Sequence, residues 1–279
     1  MNATLLDAMR AAGLAPAKEL IPAGAGTLQR FRIEGDKAGS LNGWVSLHDE
    51  AAPTFAVFGS WKTGAQHVWR DGAHQPQTAA EKADMQRRMD CAKAARDAEE
   101  VRVHAEARAK AQRLWNRAHM AESRHPYLLR KGQIPGYGLH QLNGMLVVPA
   151  RDTEGTLHTL QFISADGSKR FLSGGRIKGC FHLIGSVETH STLLLCEGFA
   201  TGSTLLACTG YAVAVCFSAG NLQPAGLALR AKYPDARMVV CADRDEAGLK
   251  AAHATARAIG ASVAVPQSVK PMEAAHGPQ

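Results

Sequence analysis

Three acids placed at the ends of apolar runs are the residues of this chain best suited to chemistry. Leu193-Leu194-Leu195-Cys196 stops at Glu197-Gly198, and Val239-Val240-Cys241-Ala242 stops at Asp243-Arg244-Asp245. Short apolar runs with helix-like sequence between them read as buried strands of an α/β sheet. Ligands of such sheets bind just beyond the carboxyl ends of the strands. Glu197, Asp243 and Asp245 are therefore expected at one sheet edge, where carboxylate oxygens can hold a divalent cation against phosphate. Each acid also has a plainer reading. Glu197 fits an acid that complements the dipole of the next helix, and D-R-D-E-A-G fits a solvated turn in which Asp245 caps a helix. A Glu-Gly end and an Asp-x-Asp end on strands of the same sheet favour the metal. Period-two spacing would point Asp243 and Asp245 the same way if strand geometry continues, and two like charges so placed repel unless a cation or an Arg or Lys compensates.

The elements that must position these acids lie in residues 191–265. Strands at 192–196, 211–217, 237–242 and 261–265 alternate with helices near 200–208, 223–232 and 246–259, a pattern that implies a parallel sheet with right-handed crossovers. Upstream, residues 121–190 are turn-rich and β-like, with strands expected at 145–149, 157–163, 169–172 and 180–184. From about Thr78 to Met120 the chain has neither Gly nor Pro and is rich in Ala, Glu, Lys and Arg, which predicts one long helix. Unbroken, it would extend about 60 Å, with a solvated face over much of its length. Residues 27–75 alternate aromatic and polar positions, with turns at Gly35, Asn42-Gly43 and Gly64, and predict three or four antiparallel strands. An amphipathic stretch carrying Leu5, Leu6, Met9 and Leu14 precedes them. The resulting division is a β-rich module at 1–75, a helical connector at 76–120, an α+β segment at 121–190 and an α/β domain at 191–279.

Composition narrows the class. The 279 residues are 46% hydrophobic and 20% charged, with a formal charge of +7, a mild bias towards a polyanionic partner. No run is long and apolar enough for a membrane span, and Met1 to Arg10 lacks the pattern of a signal peptide. The six cysteines include no C-x-x-C pair, so neither a disulfide framework nor a zinc ribbon is expected, and the compartment expected is the cytoplasm.

The wording around the acids is similar to a known family. C-E-G-F-A-T-G-S-T-L-L, F-S-A-G-N-L, L-R-A-K-Y-P and C-A-D-R-D-E-A-G-L-K-A-A resemble the Toprim domain of primases from plasmids, phages and integrated elements. So do the upstream runs H-P-Y-L-L-R-K-G, L-V-V-P-A-R-D-T-E-G-T-L-H-T-L-Q-F-I and G-S-K-R-F-L-S-G-G-R-I-K-G-C-F. The resemblance covers roughly residues 124–265. It implies a Rossmann-like, mostly parallel Toprim sheet and synthesis of short RNA primers on single-stranded DNA. Glu197 would be metal ligand or general acid/base, and Asp243 and Asp245 would hold Mg²⁺, with Mn²⁺ as the alternative. Lys169, Arg170, Arg176 and Lys178, with Phe171 between them, correspond to the basic region that guides template and ribonucleotides; read by themselves they also fit a charged hairpin edge. A replicative helicase is an expected partner, and a membrane is not.

Two departures qualify the resemblance. Bacterial replicative primases open with a Cys/His zinc module, whereas residues 1–75 contain His48, His67 and His74 but no cysteine, so no structural zinc is expected. Relatives of the plasmid type often continue into a further acidic motif, whereas Gln267 to Gln279 offers only Glu273. The alternatives are a non-catalytic Toprim-fold module that binds single-stranded nucleic acid, and a Toprim nuclease. Ser218-Ala219-Gly220-Asn221 fits a nucleotide-proximal loop or a plain turn.

Overall fold

The computed structural model describes residues 4–51, 54–71, 78–132, 136–188 and 191–266. His74 and Glu273 lie outside them. The chain forms two compact units, Met1–Arg102 and Val103–Gln279.

In the first unit, helix α1 (Leu5–Ala11) starts with a capping box in which the Thr4 side chain and Asp7 satisfy each other's backbone N–H groups. Strands β1 (Leu28–Phe31), β2 (Gly43–His48), β3 (Phe55–Ser60) and β4 (Gln66–Arg70) form an antiparallel meander in chain order. Their alternating apolar residues make two small cores. Met9, Phe31, Val45 and Phe58 close one with α1. Trp44, Phe55, Val57 and Met85 close the other, so Trp44 serves as core. Helix α2 (Ala79–Arg117) is a single helix, as its composition predicts, and its first part belongs to this unit.

The second unit holds the rest of α2, helix α3 (Pro126–Lys131) and two five-stranded sheets. The first sheet is antiparallel: β5 (His119–Met120), β6 (His140–Leu142), β7 (Met145–Arg151), β8 (Leu157–Ile163) and β9 (Lys169–Phe171), in chain order. Its β7–β8 ladder is irregular between Ala150 and Arg151. The second sheet contains β10 (His182–Ile184), β11 (Thr192–Cys196), β12 (Ala212–Val215), β13 (Arg237–Cys241) and β14 (Ser262–Ala264), in spatial order β10-β12-β11-β13-β14. Strands β11 to β14 pair in parallel, and β10 runs antiparallel beside β12. Sequence places β10 with the strands upstream; in the fold it completes the later sheet, because His182 and Ile184 are buried residues that fit beside Val213 and Val215.

Side-chain alternation on the parallel strands divides the layers. Leu193, Leu195, Met238 and Val240 face helices α5 (Ala219–Lys232) and α6 (Glu246–Ile259). Leu194, Cys196, Val213 and Val215 face helix α4 (Phe199–Thr209), α3 through Leu128, and the antiparallel sheet through Leu146, Val148 and Ile163. Buried on both faces, these strands read as continuous apolar runs for that reason. Among the described residues no helix is long and apolar enough to cross a membrane.

Candidate active site

The connection after the central strand β11 turns to α4 on one face of the sheet. The connections after both neighbours, β12 and β13, turn to α5 and α6 on the other. The carboxyl end of β11 is therefore a topological switch point, where the loops separate and leave a crevice. Glu197 stands there, half-buried, near the backbone N–H of Ala219 at the start of α5. Burial raises its pKa above the ordinary carboxylate value. The negative charges of Asp243 and Asp245 raise it further, against the lowering effects of the Ala219 N–H and the Lys169 ammonium. The three acids thus feel one another across the crevice.

Asp243 and Asp245 reach this edge by a different local geometry from the one their spacing suggests. Strand β13 ends at Cys241, and Asp245 is the N-cap of α6, with Oδ1 accepting from the Gly248 N–H at 2.6 Å. Gly248 lets the first turn of α6 close on the loop: a Cβ there would stand 2.9 Å from the Asp243 carbonyl oxygen. The capping reading of Asp245 and its place beside Glu197 hold together, since capping engages one carboxylate oxygen. Among the described residues, no three carboxylate, imidazole or thiol side chains close on one ion by themselves. The donor set nevertheless fits Mg²⁺, which is commonly held by one or two carboxylates together with waters and substrate phosphate oxygens. The electrostatics agree, because like-charged oxygens crowd an edge where a cation would relieve them.

The four cations separate. Lys169 points to the acids: a Cβ on Gly198 would lie 3.6 Å from its Nζ. Phe171, on the same side of β9 by strand alternation, packs edge-on against Phe217, which follows β12 with φ +73°. Arg170 points the other way, with Nη2 3.3 Å from the Met145 sulfur and the guanidinium over the Phe162 ring. Arg176 binds into a cluster with His158 (2.9 Å) and Asp152 (3.4 Å). Burial alone would raise the Asp152 carboxyl, but hydrogen bonds from His158 and the Thr156 and Glu154 N–H groups hold it below the ordinary range. Lys178 is exposed.

Several contributors have weak sequence signals. The Ala219 N–H follows from a helix start after an F-S-A-G-N turn, and Gly248 from its place in the first turn of α6. Phe217 has none, since an aromatic residue with positive φ is uncommon. Asn221 proves to be a clip: its amide donates to the Cys180 and Cys216 carbonyls and accepts from the Gly179 N–H. His125 caps α3, and His182 is buried against the Tyr137 carbonyl. Cys196, Cys216 and Cys241 sit at the same strand ends, and burial keeps their thiols protonated, with pKa values raised to about 12 for Cys216 and about 11 for Cys241.

Residues 192–274 match the Toprim domain family. One DNA primase TraC of Escherichia coli is 33% identical over 228 residues, covering 79% of this chain and 21% of that protein. A second DNA primase TraC of Escherichia coli is 30% identical over 282 residues, covering 93% of this chain and 19% of that protein. The chain thus spans about a fifth of the length of these relatives. Among solved structures, the primase fragment of the bacteriophage T7 primase-helicase protein aligns with a TM-score of 0.38 and 18% identity, covering 51% of this chain and 60% of that one. A chain from the bacteriophage T7 lagging-strand DNA polymerase structure with primase domains aligns with a TM-score of 0.34 and 19% identity, covering 48% and 70%. The strand ends that carry Glu197, Asp243 and Asp245 lie within the residues that match the Toprim domain family, in a chain similar over most of its length to a segment of DNA primase TraC.

Proposed function

We propose that this chain is a primase, or a primase portion, that makes short RNA primers on single-stranded DNA by Mg²⁺-dependent nucleotidyl transfer during replication of a plasmid, phage or integrated element. The observation that carries this reading is Glu197 facing Asp243 and Asp245 at the switch point, with the Lys169 ammonium beside Gly198. The similarity to DNA primase TraC supports it.

Glu197, Asp243 and the Asp245 oxygen not used in capping would hold Mg²⁺, or Mn²⁺, which supplies neutralisation of phosphate charge. The rest is work for the chain's own groups. A carboxylate whose pKa is raised takes up a proton more readily, so Glu197 is suited to accept one from a primer 3′-hydroxyl. Lys169 places positive charge where charge develops on the α-phosphate of a ribonucleoside triphosphate. Arg170, Arg176 and Lys178 would serve the template backbone. On this reading residues 121–190 form the basic subdomain and 191–279 the Toprim domain, with 1–75 and 76–120 as accessory module and connector. The compartment is the cytoplasm, and a replicative helicase is the partner.

The test is incubation with single-stranded DNA, Mg²⁺ and labelled ribonucleotides, with products sized on a gel. Primers should appear and should be lost in Glu197→Gln and in the Asp243→Asn/Asp245→Asn double variant. Unchanged synthesis by either variant overturns the mechanism. A second reading, a binding module without turnover, draws on the use of one Asp245 oxygen as a helix cap. It expects salt-sensitive strand binding that survives loss of the acids but weakens in Lys169→Ala and Arg170→Ala. Release of nucleotides from labelled DNA without incorporation would indicate a nuclease.

A further inference from the structure

A second cleft runs along β10, an outer strand of the parallel sheet. It has a volume of about 510 Å³ and is bounded by Trp115, Tyr137, Arg151, Phe181 and Tyr233. Its position follows from topology. Tyr233 is the C-cap of α5, ahead of β13, and the cleft also includes Gly185 just past β10. Because β10 is antiparallel to β12, with His182 opposite Val215 and Ile184 opposite Val213, the cleft follows β10 from the carboxyl level of the sheet at Phe181 to the amino level at Gly185.

Three features of this cleft point to a ligand. The first is Arg151. Its guanidinium is half-buried and burial lowers its pKa; Asp152, the carboxylate that also lines the cleft, is engaged by His158 and Arg176. Nη1 donates to the Gly155 carbonyl at 2.8 Å, and the guanidinium carbon lies 5.7 Å from the Trp115 ring. A partly desolvated cation that makes no direct ion pair is costly, and an anionic group entering the cleft would offset that cost. Arg151 also sits at the irregularity of the β7–β8 ladder, the kind of feature that re-aims a side chain beside a functional site.

The second feature is Tyr137, a non-glycine residue held at φ +55°. His182 fixes it, with Nε2 2.8 Å from the Tyr137 carbonyl oxygen; burial holds this imidazole neutral near neutral pH. Backbone conformations of this kind persist only where the surroundings enforce them, and they cluster at ligand sites. The third is a neighbouring depression of about 380 Å³ that shares Arg151 and Gly155 with the cleft and adds the exposed Arg108 from α2.

Aromatic faces beside an under-compensated arginine, with a second cation one step away, match a nucleotide unit: a base to stack and a phosphate to pair. The volume suits one such unit. We infer that this cleft binds a nucleotide, its base on the Trp115–Tyr137–Tyr233 wall and its phosphate on Arg151, with Arg108 reaching the next phosphate. Free nucleoside phosphate and a residue of single-stranded DNA offer the same chemistry there. None of the three acids lines this cleft, and binding there does not depend on nucleotidyl transfer.

Trp115 supplies the readout, because the other three tryptophans, Trp44, Trp61 and Trp69, belong to the first unit. The full chain is titrated without divalent metal with ATP in one arm and oligodeoxythymidylate in the other, following tryptophan emission. Quenching that saturates and disappears in Trp115→Phe is expected. Quenching by ATP marks a free-nucleotide site; quenching by the oligomer alone marks a strand site. Arg151→Gln should weaken the interaction about tenfold, as for one charge-assisted hydrogen bond. Arg108→Ala, an exposed change that leaves the fold intact, should weaken the oligomer several-fold. Asp243→Asn should leave the quenching unchanged. The inference is overturned if neither ligand changes Trp115 emission, or if Arg108→Ala and Arg151→Gln both bind as the parent does.

Discussion

Phe171 and Phe217 meet edge to face, with ring centroids 5.4 Å apart and planes at 83°. One belongs to the last strand of the antiparallel sheet and the other follows the second strand of the parallel sheet. The contact fastens β9 over the carboxyl edge where Glu197 stands. Two residues earlier on the same face, Lys169 is carried to Gly198. Arg170, one residue out of phase, is carried away to Phe162 and Met145. The aromatic pair therefore decides which cation of the basic run reaches the acids.

Phe217 carries a backbone cost as well as a ring. At φ +73° a residue with a Cβ is disfavoured by about 1–2 kcal/mol relative to its right-handed conformation. Phe217→Ala loses the ring and keeps this cost, whereas Phe217→Gly loses both. The glycine variant should be the more stable of the two by about 1 kcal/mol, measured as urea unfolding free energies. Both should lower primer synthesis alike, since neither fastens β9. The reverse order of stability would show that the positive φ carries no cost here.

At Glu197 stability and function oppose each other. Its folded pKa lies above the ordinary 4.5 because of burial and then the charges of Asp243 and Asp245. The folded state therefore holds the proton more tightly than the unfolded chain does. The corresponding stability is fully present below the unfolded value and is lost as pH rises through the raised folded value. At pH 7.5 the ionised carboxylate is a burden that Glu197→Gln removes. The midpoint of thermal unfolding should rise by on the order of 1–3 °C while primer synthesis falls at least about 100-fold. Mg²⁺ should stabilise the parent more than the variant, and chelation should abolish that difference. A variant less stable than the parent at pH 7.5 would contradict this electrostatic picture.

The acids and the parallel strands were legible in the sequence because burial on both faces writes a strand as an unbroken apolar run that stops where solvent begins. Leu193 to Glu197 and Val239 to Asp243 carry that signature directly. Helix α2 was legible from propensity alone. The placement of β10 was not, since His182-Leu183-Ile184 satisfies either sheet locally and only the contact with β12 decides. The dispersal of Lys169, Arg170, Arg176 and Lys178 was equally hidden. Closeness in sequence is not closeness in space when a strand alternates faces and a loop folds Arg176 back onto His158 and Asp152.

Asp245 permits its two roles to be separated. Asparagine caps a helix about as well as aspartate, whereas alanine costs about 1 kcal/mol. Asp245→Asn should thus keep α6 intact while removing a negative charge from the neighbourhood of Glu197, and Asp245→Ala should lose both. Equilibrium unfolding should place the asparagine variant near the parent and the alanine variant about 1 kcal/mol below it. Mg²⁺-dependent synthesis should fall in both. If the asparagine variant retains full synthesis, Asp245 is a helix cap and nothing more.

His182 gives the fold a pH dependence of definite sign. Burial brings its pKa from the ordinary 6.5 down to about 4, with the Arg151 charge acting the same way and the hydrogen bond to the Tyr137 carbonyl acting against it. In that interval the unfolded chain binds a proton that the folded chain excludes, so stability is complete above pH 6.5 and declines as pH falls towards 4. The loss across the whole interval is of order 3 kcal/mol. Carboxylates elsewhere add their own acid sensitivity, so the measurement is a difference: urea unfolding of the parent and of His182→Gln at pH 7 and at pH 4.5. Glutamine can still donate to the Tyr137 carbonyl but has nothing to titrate. The parent should lose about 2 kcal/mol more than the variant over that range, and parallel pH profiles would show that the imidazole is protonated in the fold or hydrated there.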